Sequence, residues 1–181
     1  ASVTFAGEAP AVHAFPMRPL THPLFTPRLR LEPVTPALAQ AARAGQTAFA
    51  DMIGAEAPAD WCAAGLPLVA RSADLSPTRV VAIHREEGVV VGDVRFDPSP
   101  RVADEVEVGY SVASSRRRQG YAVEATGAVI DWLVAEAGAV SIIAGCDARN
   151  IASVRTLRRL GFWLDSNPGR TFWWTLPASR A

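Results

Sequence analysis

Lysine is absent from this 181-residue sequence: arginine supplies all 18 basic residues, and 18 acidic residues bring the formal net charge to zero. A neutral chain has no overall attraction to nucleic acid, so any cationic site must be local. Cysteine is scarce, and Cys62 and Cys146 match neither a metal-ligand nor a redox spacing. We therefore expect no metal site and no nucleic-acid partner. Reduced thiols are the expected state, with a single disulfide as the alternative.

Long apolar runs are also missing. No stretch of about 18 apolar residues, the length that spans a bilayer, occurs in the sequence. The first 20 residues lack the basic and continuous apolar regions of a signal peptide. These absences predict a soluble, cytoplasmic protein without a membrane partner. With 49% hydrophobic residues, the chain suits one domain with a buried core.

Proline and apolar periodicity divide the chain. Residues 1–26 are predicted to form an extended, poorly ordered lead-in, and 27–181 a single domain, because four prolines interrupt the first segment: Pro10, Pro16, Pro19 and Pro23. Alternating or valine-rich runs predict strands at 28–34, 78–85, 88–96, 105–113, 139–146, 162–166 and 170–176. Apolar stripes at helical spacing predict helices at 36–52, 59–64, 119–137 and 150–161. This order favours an α/β (α+β) fold with a mixed sheet and helices on its faces.

A cationic stretch, "SSRRRQGYAVEA" at 114–125, comes directly before a predicted helix. The start of a helix already carries about half a positive charge, so additional arginines are unfavourable there unless an anion binds. Gly120 lets the backbone approach such an anion closely, and arginine donors fit phosphate oxygens. The stretch therefore predicts a site for a ligand that carries a diphosphate.

The spacing of Arg117, Gly120 and Ala122 resembles the acyl-coenzyme A pyrophosphate loop of the GNAT superfamily of N-acetyltransferases. "VEVGYSV" at 106–112 is similar to the strand that precedes that loop, and "NIASVRTLRRLGF" at 150–162 to the family's Asn-x-x-Ser helix. "TPRLRLEPVTP" resembles the first strand of the ribosomal-protein N-terminal (RimJ/RimL-like) branch. Together these segments extend the resemblance over roughly residues 25–176.

The resemblance implies the GNAT acyl-CoA N-acyltransferase fold, with a central, mostly antiparallel mixed sheet and helices on both faces. It also implies acetyl-coenzyme A as co-substrate. In the family, the strand at 105–113 carries a bulge and diverges from the next strand, and the pantetheine arm lies in that gap. The N–H group of Val112 is then a candidate to hold the thioester carbonyl. The positions implied to bind the cofactor are Tyr110, Ser111, Val112, Arg117, Arg118, Gln119, Gly120, Tyr121, Ala122, Asn150 and Ser153.

Acetyl transfer to an amine needs a base, and Glu107 on strand 105–113 is the candidate. The alternative is a structural carboxylate paired with an arginine. His84 and Asp93, each on a predicted hairpin strand, are weaker candidates for which a solvated or structural role is favoured. Ser153 matches a serine suggested to protonate the thiolate in the ribosomal-protein branch, but capping of the helix by Asn150 explains both residues equally well. The tyrosine that many relatives place after this motif is missing.

The acceptor is a primary amine, either a protein N-terminus or a small molecule, since nothing in the sequence distinguishes the two. A non-catalytic or regulatory coenzyme A-binding module is the alternative function, and a homodimer is possible in either case. A dinucleotide site of the Rossmann type is excluded because no Gly-x-Gly-x-x-Gly follows a strand.

Overall fold

The computed structural model describes residues 17–72, 78–99, 102, 104–166 and 169–177. The strands are β1 Leu24–Phe25, β2 Leu29–Pro33, β3 Arg79–His84, β4 Val89–Pro98, β5 Glu105–Val112, β6 Ser141–Asp147, β7 Trp163–Ser166 and β8 Thr171–Pro177. The helices are α1 Pro36–Ala44, α2 Gln46–Ile53, α3 Ala59–Cys62, α4 Gly65–Arg71, α5 Tyr121–Ala135 and α6 Ile151–Arg159.

The eight strands form one sheet in the order β1-β2-β3-β4-β5-β6-β8-β7. Every neighbouring pair is antiparallel except β5 and β6, which are parallel and connected through α5. This arrangement confirms the predicted mixed, mostly antiparallel sheet. The parallel pair follows from its connection, because helix α5 between the two strands returns the chain to the same end of the sheet.

Two hydrophobic cores lie on opposite faces of the sheet, because successive side chains of a strand point to opposite sides. On β3, Val80 and Ala82 pack in the core that includes α5 and α6, whereas Val81 and Ile83 pack in the core that includes α1–α4. The predicted placement of helices on both faces is therefore confirmed.

The helix predicted at 36–52 is two helices. Its start is as predicted: Pro36 follows Thr35, whose Oγ1 accepts a hydrogen bond from the N–H of Leu38 at 3.2 Å. The break falls at Gly45, whose φ of 122° and ψ of 178° lie far from helical values. Helix α4 was not predicted, because the sequence analysis interpreted Pro67 as a helix-breaking residue. Pro67 lies in the first turn of α4, where the missing N–H removes no helical hydrogen bond.

The predicted lead-in is described from residue 17 onward. Leu20 is fully buried in the core beside α5, and Leu24–Phe25 pairs with β2 at the sheet edge. Residues 1–16 lie outside the described residues. The division into a lead-in and a single domain remains a prediction.

Candidate active site

Strands β5 and β6 pair only over their first three residues, Glu105–Glu107 with Ser141–Ile143. Beyond Glu107, β5 continues on β4 and β6 continues on β8, so a gap opens between them. The bulge expected in 105–113 is absent from this pairing, since the β4–β5 register runs without a shift. A register shift occurs instead between β3 and β4, beside Ala82 and Ile83.

Beyond Glu107, the backbone of β5 presents to this gap groups that pair with no strand among the described residues. The N–H of Ala113 donates to Val91 on β4 at 2.9 Å. Because backbone groups of successive residues point to opposite edges of a strand, those of Val112 and Tyr110 point towards the gap. The Nε of Arg117 donates to the Val112 carbonyl at 3.3 Å, consistent with that orientation.

A cleft of about 800 Å³ runs from the gap to the start of α5 and along α6. It brings together all the predicted cofactor residues except the exposed Gln119. Arg155 and Arg159 also line it, whereas Arg158 lies 5.8 Å from the centre of the Trp174 ring. The predicted residues that line the cleft are Tyr110, Ser111, Val112, Arg117, Arg118, Gly120, Tyr121, Ala122, Asn150 and Ser153.

The start of α5 has the form expected of an anion site. Gly120 caps the helix with φ of 86°, and it has no side chain to accept hydrogen bonds from the first-turn N–H groups. Arg118 has φ of 63°, a left-handed conformation that is uncommon for residues other than glycine. The guanidinium carbon of Arg28 lies 4.5 Å from the centre of the Tyr121 ring. This contact positions the side chain of the first residue of α5. The free N–H groups and the arginines therefore face the same cleft.

The three consecutive arginines differ in their contacts. Arg116 forms an ion pair of 2.5 Å with Glu87 in the β3–β4 turn. Arg117 and Arg118 are exposed and form no ion pair with any residue that the structure describes. Within the described part of the chain, two of the three cations therefore have no counter-ion.

The sequence did not predict the role of Asp60 on α3. Its Oδ2 accepts hydrogen bonds from the N–H of Ser115 at 2.7 Å and from the hydroxyl of Ser114 at 2.9 Å. The hydrogen bond from the Ser115 backbone, followed by those from the serine hydroxyls, lowers the pKa of Asp60 to about 2. This carboxylate thus fixes the 3₁₀ turn Ser114–Arg116, where the cationic loop begins.

Asp93 has the structural role that the sequence favoured. It is 2% exposed and forms an ion pair with the buried Arg79. Its second oxygen accepts hydrogen bonds from the Ser111 hydroxyl at 2.6 Å and from the Trp61 indole N–H at 3.2 Å. Asp93, on β4, therefore connects Trp61 of α3 and Arg79 of β3 to the part of β5 that lines the cleft.

Glu107 lies where the gap begins, because it is the last β5 residue paired with β6. Its side chain is on the face of α1–α4, opposite the face on which Tyr110 packs. Glu107 accepts a hydrogen bond of 2.8 Å from Arg95, which also pairs with Asp97 at 2.9 Å. The pairing with arginine, which was the alternative interpretation of this residue, is therefore present.

Across the gap, the Asn150 side chain accepts a hydrogen bond from the Ser153 N–H at 3.1 Å, so Asn150 caps α6. Ser153 also lines the cleft, and capping therefore does not exclude a role in binding. The Tyr110 hydroxyl donates to the Ser153 carbonyl at 3.2 Å. Burial raises the pKa of Tyr110, because the phenolate is less well solvated there.

Among the described residues, no group of three or more histidine, cysteine, aspartate or glutamate side chains is arranged to hold a metal ion. In the same part of the chain, no helix combines the length and the apolar character needed to span a bilayer.

Comparison with known proteins agrees with this geometry. Residues 28–163 match the acetyltransferase (GNAT) domain. The uncharacterized N-acetyltransferase YjdG of Bacillus subtilis (strain 168) is 32% identical over 85 residues, 47% of this chain and 51% of YjdG. The chain thus matches about half the length of that relative.

Two solved structures share the fold. The ribosomal-protein-S5-alanine acetyltransferase of Vibrio fischeri has a TM-score of 0.60 and 18% identity, over 87% of this chain and 97% of that chain. RimL, a ribosomal L7/L12 alpha-N-protein acetyltransferase in complex with coenzyme A, has a TM-score of 0.57 and 14% identity, over 84% of this chain and 95% of that chain. With its sheet, its gap and the domain match over most of its length, the chain belongs to the GNAT acetyltransferase family.

Proposed function

We propose that this protein transfers the acetyl group of acetyl-coenzyme A directly to a primary amine. The observation that carries the proposal is the continuity of one cleft, which joins the gap after Glu107 to the start of α5, where no side chain accepts from the first-turn N–H groups. An elongated ligand with an anionic middle fits such a cleft, because the unpaired strand edge offers hydrogen bonds to an amide chain and the helix start offers them to phosphate.

The residues present fit coenzyme A in their chemistry. Arg117, Arg118 and the N–H groups that follow Gly120 would hold the pyrophosphate. The backbone groups of Tyr110 that face the gap would hold a pantetheine amide. The other predicted contacts, including those of Ser111, Gln119, Tyr121, Ala122 and Asn150, remain part of this proposal, and Arg155 and Arg159 extend the cationic lining.

Acetyl-coenzyme A supplies an activated thioester, and the chain supplies proton transfer and charge stabilisation. Glu107, on the opposite face of the sheet from the cleft, would accept a proton from the acceptor amine, directly or through a water molecule. The N–H group of Val112 points into the gap, where it would stabilise negative charge on the thioester oxygen. Ser153 and the Tyr110 hydroxyl are the two candidates to protonate the departing thiolate.

The acceptor is either a protein N-terminus or a small amine. The two structural neighbours act on ribosomal proteins by name, but their low identity extends to the fold alone. A coenzyme A-binding module without catalysis is the second candidate, and the ion pair of Glu107 with Arg95 is the observation that favours it, because the carboxylate is already engaged as the hydrogen-bond acceptor of an arginine. A cytoplasmic location and a homodimer also remain predictions.

Calorimetric titration with acetyl-coenzyme A tests the binding step. Gly120→Glu should abolish binding, because a carboxylate would enter the anion site. Gly120→Ala is the matched control: it has the same strain at φ of 86°, about 1–2 kcal/mol, without the charge. It should weaken binding less than Gly120→Glu does, because it adds a Cβ atom but no negative charge. No binding by the parent protein, or equal binding by both variants, would contradict the proposed site.

Substitution of Glu107 tests the chemical step. Glu107→Gln should lower kcat by about 10²-fold or more, the usual contribution of a general base, with little change in the affinity for acetyl-coenzyme A. Asp97→Asn is the control, since it removes the other carboxylate that pairs with Arg95. An active parent in which both variants lose activity equally would remove Glu107 as the base. A parent that binds the cofactor but acetylates neither peptides nor small amines would favour the module.

A further inference from the structure

Two neighbouring residues of α3 contact the cofactor strand and loop at separate points. Asp60 accepts hydrogen bonds from Ser114 and Ser115, at the start of the cationic loop. Trp61 donates to Asp93, which in turn accepts from Ser111 on the strand before that loop. The four-residue helix α3 is therefore linked both to the end of β5, through Asp93, and to the start of the cationic loop that follows it.

The helix is itself firmly held. Trp61 is 2% exposed and stacks on Phe49 of α2, with ring centres 5.5 Å apart. Gly65 packs closely against the Trp61 ring, since a Cβ atom at position 65 would lie 2.3 Å from Trp61 Cε2. Asp60 is therefore an exposed carboxylate on a rigid support, and its position is set by the core of α1–α4.

The charge of Asp60 is unfavourable for the proposed ligand. A carboxylate beside the loop that holds Arg116–Arg118 repels a polyanion such as coenzyme A. Simple electrostatics thus predicts that removing this charge strengthens binding. A positioning role predicts the opposite, because without the two hydrogen bonds the turn at Ser114–Arg116 loses its fixed conformation and the following arginines lose their common direction.

We propose that Asp60 is a positioning residue for the pyrophosphate loop. It holds the start of the loop so that Arg117, Arg118 and the N–H groups after Gly120 converge on one anion. Through Trp61 and Asp93, the same helix holds Ser111 on the strand. The helical layer α1–α4 is in this way connected to cofactor binding. This inference rests on the proposed function, because it needs coenzyme A as the ligand.

Two variants of Asp60 have opposite expected effects. Asp60→Ala removes charge and hydrogen bonds together, and it should raise the Kd for coenzyme A by about 3- to 10-fold, the range for one or two hydrogen bonds. Asp60→Asn keeps an acceptor oxygen and loses only the charge, so its Kd should equal or fall below that of the parent. Ser114→Ala removes one bond from the loop side and should raise the Kd by a smaller factor. Asp51→Ala, an exposed acid on α2, is the charge-matched control.

Titration calorimetry gives the Kd values, and steady-state kinetics and thermal melting separate positioning from stability. The KM for acetyl-coenzyme A should rise more than kcat falls in Asp60→Ala, with a Tm close to that of Asp51→Ala. A parent that binds while Asp60→Ala binds equally well or more tightly would overturn the positioning role alone. Weakening by the same factor in Asp60→Asn and Asp60→Ala would assign the effect to charge and overturn it too. A parent that does not bind coenzyme A overturns the proposed function itself, and this inference with it.

Discussion

Substitution of Asp93 by asparagine tests the buried polar group most directly. The change nearly preserves shape, and the amide oxygen can still accept hydrogen bonds from Ser111 and Trp61. It removes the negative charge, however, and leaves the guanidinium of Arg79 without its counter-ion. The side chains of Asp93 and Arg79 are only 2% and 9% exposed, so water cannot replace the lost partner.

The expected cost follows from this burial. Breaking a buried ion pair by removing one partner destabilises a protein by about 3–5 kcal/mol. A domain has a free energy of unfolding of about 5–15 kcal/mol, so the loss is a large fraction of the total. At about 2–4 °C per kcal/mol for a chain of this size, Tm should fall by about 6–20 °C.

Thermal and urea unfolding, followed by circular dichroism, measure the change. The double variant Arg79→Met with Asp93→Asn provides the control, because it removes both charges and keeps the acceptor for Ser111 and Trp61. It should be more stable than the single variant, since replacing both members of a buried pair is often neutral or stabilising. A single variant within about 1 kcal/mol of the parent, or a double variant no more stable than the single one, would refute the reasoning.

Two further predictions concern other groups. If the Tyr110 hydroxyl protonates the thiolate, Tyr110→Phe should lower kcat by about 10²-fold. Ser153→Ala, measured by the same steady-state kinetics, should lower kcat by a smaller factor. A larger loss in Ser153→Ala would instead assign the proton to Ser153. Burial alone would raise the pKa of Glu124, but hydrogen bonds from Thr26 and Arg28 outweigh it and lower the pKa in the folded state. Its stabilising contribution is therefore present above the ordinary glutamate pKa of 4.5 and lost as pH falls through the lower folded-state pKa, so on acidification below that value the Tm of the parent should fall more than that of Glu124→Gln.

The amino-acid sequence alone predicted those features of the site that depend on residues a few positions apart. Gly120, the arginines before it and Asn150 as a helix cap each depend on residues within a few positions, and apolar periodicity placed the strands around them. Capping geometry is short-range, so a single sequence contains the whole signal.

The contacts that cross the fold were not predictable in the same way. Asp60 meets Ser114 across 54 positions, and Trp61 meets Asp93 across 32. Spacing within one element contains no information about such partners, because they meet only after the sheet has formed. The division at Gly45 was missed for a different reason: a glycine inside an alanine-rich stretch is compatible with a helix, so the sequence does not show that its backbone adopts non-helical angles.

Where the pairing of β5 with β6 ends, Tyr110 and Glu107 lie on opposite faces of the sheet, so an acceptor that reaches Glu107 approaches from the face opposite the cleft. Two reactants that reach the same point from opposite sides do not compete for one entrance, and neither must depart before its partner arrives. The expected order is thus a ternary complex, for which initial-velocity lines at several fixed concentrations of one substrate intersect. Parallel lines would indicate a covalent acetyl-enzyme intermediate and would contradict direct transfer in a ternary complex.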